Sequence, residues 1–527
     1  MNGPIMSIDR RTLLLSTGAW PWLNACQLKI GETLPPSRIV GAEAHAGHRL
    51  RGALPAASQS RKTRVLIVGS GASGAAAAYT LQKSGFTDFS LIDLAQTFGG
   101  NARSGGPSDA RYPWGAHYLP QADEENRDLI DFLEHAGAMK NGVYNEDYLC
   151  HDREERIYYQ GSWHEGLIPW VSLKPQDRSE VEAFLKLVES IRGKRDAKNK
   201  HAFRIPLDES SRENEYIQLD QQTFADFIRG QGWHSPFLSW YLNYCCRDDY
   251  GTDWEETSAW AGLHYFAARS GDKDKVLTWP EGNHWLVKQL MVGSEDRFQG
   301  DELSCRLLSK GKGWSLETYK SATGRVTAWE ADAVILAVPR FVAARLGVDL
   351  PFAKQQVSYA PWMVANCHAR SLPTNAGPGP GLAWDNVPYG SASLGYVVAN
   401  HQTIARYPGA STLTSYWPLT GGSSEYLRTM AGFRASEDWA RLVLADFDLM
   451  HPGFRSEIEG IDIWLWGHGM IQPKPGYLWG QLRDAMNQPT AYPGLYLAHT
   501  DMSGISIFEE AFAQGVKAAR GVLRQLG

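Results

Sequence analysis

Gly69, Gly71 and Gly74, with Asp93 nineteen residues beyond the last of them, are the residues of this chain whose spacing speaks most directly of chemistry. They sit in Val65-Leu66-Ile67-Val68-Gly69-Ser70-Gly71-Ala72-Ser73-Gly74, an apolar, β-branched run leading straight into G-x-G-x-x-G. Each glycine has a physical task. Gly69 permits a tight strand-to-helix turn, Gly71 lets the backbone approach a pyrophosphate, and Gly74 lets the helix pack closely on the sheet. Ala72 and Ser73 open that helix, whose free N–H groups and positive dipole end favour phosphate oxygens. Asp93 ends a second apolar strand, Phe89-Ser90-Leu91-Ile92, and is placed to accept both hydroxyls of an adenosine ribose. A carboxylate there repels a 2′-phosphate, which disfavours NADP. The elements required are therefore a buried strand, an alanine-rich helix through Leu81 and a second parallel strand.

Further short segments follow in order. After Asp93 come Thr97-Phe98-Gly99-Gly100-Asn101-Ala102-Arg103-Ser104 and Trp114-Gly115-Ala116-His117-Tyr118. Mid-chain stand Trp279-Pro280-Glu281-Gly282-Asn283-His284-Trp285-Leu286 and Ala333-Val334-Ile335-Leu336-Ala337-Val338-Pro339. Near the end are Pro493–Asp501 and a helical pattern from Phe508 to Arg520. This set resembles the flavin-containing amine oxidase superfamily, which includes monoamine and polyamine oxidases, protoporphyrinogen oxidase and phytoene desaturase relatives. The resemblance runs from residue 64 to 520. It implies an α/β protein in which an FAD-binding Rossmann-like domain of the GR2 type is interleaved with a mixed-sheet α+β substrate domain. It also implies that Gly99 and Gly100 wrap the FAD, that Trp114, Gly115, Ala116 and His117 line its isoalloxazine, and that Asp501 is the late acid. Ile507 and Phe508 open the helix at the flavin end.

Several positions depart from that pattern. Asn101 replaces the usual arginine, with Arg103 close enough to serve a phosphate. Arg345 falls where monoamine oxidases carry the lysine that holds a water at flavin N5. Tyr477 matches one wall of the aromatic cage that orients an amine, but Ile507 stands where the second tyrosine belongs. Gly476 replaces the cysteine that binds FAD covalently in monoamine oxidases, so non-covalent FAD is expected. His117 and His499, beside the flavin by their motifs, are candidates for hydrogen-bonding the ring or relaying a proton near neutral pH; structural histidines bonded to backbone are the alternative. Catalytic candidates are thus His117, Tyr477, His499 and Arg345.

A chain of 527 residues exceeds a single core, and 43% hydrophobic content supplies two. The expected partition gives 62–120, 276–345 and 485–527 to the FAD-binding domain, and 121–275 and 346–484 to the substrate domain. Glu124–Met139 and Asp177–Ile191 carry apolar residues at helical spacing, whereas Met363–Ala369 and Thr412–Trp417 read as strands. A net charge of −6 gives no basic footprint, so no nucleic-acid partner is expected. The six cysteines form no C-x-x-C and no zinc-like spacing, and no metal is expected.

Asp9-Arg10-Arg11-Thr12-Leu13-Leu14-Leu15 is a twin-arginine pattern followed by a short apolar region. Residues 1–26 are therefore expected to be an export signal engaging the twin-arginine machinery, giving a periplasmic or exported protein. That route carries folded proteins, so FAD could be inserted beforehand. Cys26, after a partial lipoprotein box, is a candidate lipid anchor and the one membrane link foreseen. Residues 27–61 read as a linker or an arm packed over the domain.

The expected activity is oxidation of a small-molecule amine, with a polyamine as one candidate, by hydride transfer to flavin N5 and reoxidation by O2 or a periplasmic electron acceptor. Asp248, Asp249, Asp253, Glu255 and Glu256 are candidates for an acidic rim, against a plain solvated loop. A desaturase or dehydrogenase of an apolar substrate and a non-catalytic flavin-binding partner protein are the alternatives.

Overall fold

The computed structural model describes residues 33–42, 44–107, 110–151, 153–269, 275–347, 350, 357–375, 377–401, 409–488 and 492–527. The arginine pair and Cys26 lie outside the described residues.

Strand Gln59–Val68 sits inside a seven-stranded sheet, paired in parallel with Phe89–Ile92 on one side and with Arg325–Leu336 on the other. Val65 and Ile67 pack under helix Ala72–Lys83, while Leu66 and Val68 meet Leu316, Trp329 and Ala343 on the opposite face. A continuous apolar run, rather than an alternating one, is what a parallel strand covered on both faces demands. Strands Leu303–Lys310 and Gly313–Lys320 extend the sheet antiparallel, and Leu495–Leu497 returns to pair with Arg325–Leu336.

The C-terminal helix Phe508–Leu526 crosses helix Ala72–Lys83 at close quarters. A Cβ at Gly515 would stand 2.1 Å from the Ser73 carbonyl oxygen, so a glycine is needed for the two backbones to meet. The two distant ends of the chain are thereby packed into one core.

The second sheet has eight strands in the order Ser37–Gly41, Ile458–Ile471, Tyr359–Ala369, Ser411–Pro418, Tyr396–Val398, Asp385–Pro388, Glu155–Tyr159 and Ser162–Glu165. It is mixed, with parallel pairing at Ser37–Gly41 with Ile458–Ile471 and at Asp385–Pro388 with Glu155–Tyr159. One face, carrying Met363, Ala365, Leu413 and Trp417, packs on helix Ser436–Met450. The other face, with Ala360, Val364, Val397 and Tyr416, meets Tyr244 and Cys245 of helix Pro236–Tyr250.

Local differences from the sequence pattern have physical causes. The helix expected over 124–139 runs from Arg127 to His135, because the Asn126 side chain accepts from Leu129 N and fixes its start. Residues 37–41, inside the span expected as linker or arm, form an edge strand. Among the described residues the cysteines are free, Cys245 and Cys246 included. No helix among them is long and apolar enough to cross a membrane.

Candidate functional site

Between the two sheets lies a crevice of about 1510 Å³. Its walls include Gly69, Gly71, Ala72 and Ser73 from the first turn, Asp93 from the second strand, and Gly99, Gly100, Asn101 and Arg103 from the loop beyond. The far end is walled by Tyr359, Trp362, Trp466, His499, Ile507 and Phe508. The turn owes its shape to Gly69, whose φ of +99° puts it in the left-handed region; a Cβ there would lie 2.3 Å from the Ala337 carbonyl oxygen. Asp93 is held by Ser70, whose backbone N–H and hydroxyl both donate to Oδ2 at 2.7 Å.

Two helices begin on this crevice, at Ala72 and at Phe508, and neither has a side-chain cap on its first turn. Uncapped N–H groups need acceptors, and each end carries positive dipole. Two such ends on one elongated crevice, with a ribose-type acid between the strands, form a donor set that fits FAD. Gly71, Ala72 and Ser73 would face its diphosphate, and Ile507 and Phe508 its flavin end. Arg103, 7% exposed, stacks over Trp464 and Trp466 at 5.0 and 5.7 Å, so its charge is fixed in the wall. The Asn101 side chain instead donates to the Gly469 carbonyl.

Other expected residues take different places. Gly74 and Gly115 serve packing: a Cβ on Gly74 would strike the Gly69 carbonyl, and one on Gly115 the Asn101 carbonyl. Trp114 is buried against Tyr112 and Trp464 rather than lining the crevice. Ala116 does line it. Tyr477, expected as a cage wall, is buried away from the crevice, with its hydroxyl donating to the Asp501 backbone carbonyl at 2.8 Å. Tyr359 reaches the crevice in its stead. Asp501 is fully buried, and its Oδ2 accepts from Tyr359 Oη at 2.5 Å and from Arg340 N at 2.7 Å. Its carboxylate therefore ties the crevice floor together, while His499, whose Nδ1 is 3.0 Å from Asp501 Oδ1, faces the space. Arg345 is an exposed residue on the crevice wall, 6.0 Å from the Phe341 ring centre, rather than an enclosed cation.

Behind the Gly115–Tyr118 segment is a second, smaller cavity of about 210 Å³. Ala116 belongs to the crevice and His117, the next residue, to this cavity; Tyr416 Oη donates to Gly115 O at 3.0 Å and braces the wall between. His117 stacks on Tyr416 at 4.5 Å, and burial depresses it to about 3. It is neutral at physiological pH, which removes the proton relay near neutrality expected of it. Tyr118, Tyr244, Tyr265 and Trp384 supply further aromatic walls, and Glu155, Asp248 and Asp385 bring carboxylates. Asp385 and Glu155 are direct partners on neighbouring parallel strands. Burial lifts Glu155 to about 7; burial, then the neighbouring Asp249, lifts Asp248 to about 7. Burial, then Glu155, pushes Asp385 well above the carboxylate range. Lys275 and Arg269 also reach the wall, with Arg269 paired to Asp249 at 3.5 Å.

Of the five acids singled out in the sequence, only Asp248 lines this cavity. Asp249 is buried behind it, Asp253 accepts from Gly421 N, Glu255 pairs with Arg229, and Glu256 pairs with Lys474. Among the described residues no cluster of His, Cys, Asp and Glu could hold a metal ion.

A family profile described as an NAD(P)-binding Rossmann-like domain matches residues 67–136. No protein of curated function matches the sequence. Similar solved structures include a putrescine oxidase bound to putrescine, with TM-score 0.63 and 15% identity over 88% of this chain and 100% of that one. Cyclohexylamine oxidase from Brevibacterium oxydans superposes with TM-score 0.62 at 15% identity, over 88% of this chain and 100% of its own. A CLA-producing fatty acid isomerase from P. acnes gives 0.61 at 17% identity, over 88% and 99%. At these identities the likeness is one of fold: the chain has the α/β architecture of flavin amine oxidase-type structures, with a Rossmann-like nucleotide-binding domain.

Proposed function

We propose that the protein is an FAD-dependent oxidoreductase that oxidises a small aliphatic amine, with diamines and polyamines the favoured class. The cofactor reading is supported by the two uncapped helix N-termini that open on one crevice. Once bound, non-covalently, FAD supplies a hydride acceptor for the carbon next to nitrogen, and O2 or an exported electron carrier takes the electrons onward. The rest of the reaction falls to this chain's own residues.

The observation that carries the amine reading is the small cavity, in which Glu155, Asp248 and Asp385 share an enclosed space with Tyr and Trp faces. Acids outnumber the two cations, Arg269 and Lys275, on this wall, and an ammonium group among aromatic faces adds positive charge where it is favoured. The volume of this cavity favours a small substrate. About seven waters at ~30 Å³ each would fill it, room for a short chain but not for a carotenoid or a porphyrinogen. Asp248 and Glu155, both near 7, are suited to pair with an ammonium group at the far end of the substrate, while the reacting nitrogen must be neutral to give up its neighbouring hydride. His117, neutral and stacked, holds the wall.

The proposal includes export of the loaded protein through its twin-arginine segment. Anaerobic mixing with putrescine, spermidine and simple monoamines should bleach the flavin, fastest with the diamines. If no amine bleaches it, the amine reading is wrong.

A further inference from the structure

We propose that residues 37–42 and 44–54 belong to the dinucleotide site, as a strap that closes over the crevice and sets how long FAD is retained. The inference rests on the FAD reading of that crevice.

The strap has one foot in each sheet. At its start, Ser37–Gly41 adds a strand to the edge of Ile458–Ile471, and Arg38 grips Asp462 through Nε at 2.6 Å and Nη2 at 3.1 Å. Gly41 lies flat against Trp464, where a Cβ would stand 2.5 Å from the indole ring. At its end, Arg49 Nη2 donates to Tyr319 Oη at 3.1 Å, and Leu50 and Leu54 pack with Leu94, Leu303, Tyr319 and Val326 of the nucleotide half. Between the feet, Gly47 passes above Leu94, the residue after Asp93: a Cβ built on it would meet Leu94 Cδ2 at 3.6 Å. Ile39 to Ala42, Ala44, His45, Gly47, His48, Leu50 and Arg51 form a third wall of the crevice.

The composition of this wall suits the ligand. Ala44–Arg51, which follows Glu43, contains His45, His48, Arg49 and Arg51; burial and the nearby Arg51 lower the His48 pKa, so the positive charge of this wall rests on its arginines. Its fastenings are unequal: the start is paired into the sheet along Ser37–Gly41, whereas the end is lightly held. Arg38 is 74% exposed, so its ion pair contributes on the order of 0–1 kcal/mol. One hydrogen bond and two half-buried leucines hold the other end. An end fastened so lightly opens locally far more often than the core unfolds, and a ligand held beneath it holds it closed by linkage.

Trypsin cleavage after Arg49 and Arg51, followed by mass spectrometry, reads the strap directly in the full chain. The flavin-stripped protein is first titrated with FAD by fluorescence quenching, then digested with and without saturating FAD. Cleavage at these two bonds should slow at least tenfold when FAD is bound. In a second arm, Leu50→Ser combined with Leu54→Ser should speed FAD release at least tenfold on dilution, with the melting temperature of the stripped protein unchanged. Failure to bind FAD would sink the cofactor reading and the strap with it. Normal FAD binding with equal cleavage in both forms, or unaltered release from a variant whose strap is cut freely, overturns the strap alone.

Discussion

Glu155 and Asp385 face each other across a parallel strand pair, an arrangement that a protein tolerates only if protons or a cation separate the charges. The folded Glu155 holds its proton up to about 7, above the ordinary value of 4.5. Its raised folded pKa contributes stability that is fully present below the unfolded value and lost as pH rises through the folded one. The amine-free protein should therefore lose stability from about pH 5 to pH 8, and Glu155→Gln should flatten that loss in urea melts. Binding has the opposite slope. Carboxylates that ionise near 7 attract ammonium better above it, so KM for putrescine should fall as pH rises through neutrality. Glu155→Gln should raise KM about 10- to 100-fold, the worth of one charged hydrogen bond, with a smaller effect on kcat. An unchanged KM would remove Glu155 from the substrate site. These two acids escaped the sequence because they lie 230 residues apart and meet only through sheet register. Asp248 stood out, but among neighbours whose burial no spacing could rank. The nucleotide residues were legible for the contrary reason: Gly69, Gly71 and Asp93 act within one local strand–turn–helix unit.

At the scale of elements, the two helix starts depend on how closely their helices cross. The Gly515 backbone touches Ser73 O and Ala76 Cβ, where an added Cβ would lie at 2.1 and 2.8 Å. Gly515→Val must push the C-terminal helix away from Ala72–Lys83, at about 1–3 kcal/mol for overpacking. Since Phe508 opens one helix and Ala72 the other, the separation should also lower flavin occupancy, read as bound flavin per chain. Normal occupancy in a destabilised variant would mean that the helix starts are not coupled through this contact. Both helices could be read from composition and periodicity. Strand Ser37–Gly41 could not: its five residues sit in a stretch rich in Pro, Gly and Ala, and it exists because Ile458–Ile471 offers a free edge. Tyr477 was misplaced for a related reason. Its motif fixes its place in sequence, but the Asp501 carbonyl draws its hydroxyl inward, and Tyr359 from another strand fills the crevice wall.

For the whole molecule, the crevice is bounded by segments drawn from both sheets and both chain ends, from Ile39 to Ala511. A ligand filling it contacts the nucleotide half and the substrate half together, and so should stabilise them as one unit. At a free FAD concentration 100 times its Kd, linkage gives about 2.7 kcal/mol. For a chain of this size that corresponds to a rise in Tm of about 2–3 °C, because unfolding entropy scales with length. Differential scanning fluorimetry of flavin-stripped protein should show this rise in a single transition, since Asp501 ties the late loop to Tyr359, on a strand of the eight-stranded sheet, and to Arg340, in the helix that follows strand Arg325–Leu336 of the other sheet. Two separated transitions with only one of them moved by FAD would mean that the flavin is held by the Rossmann-like half alone. In that event the far end of the crevice, and the small cavity behind His117, would have no part in positioning a substrate against it.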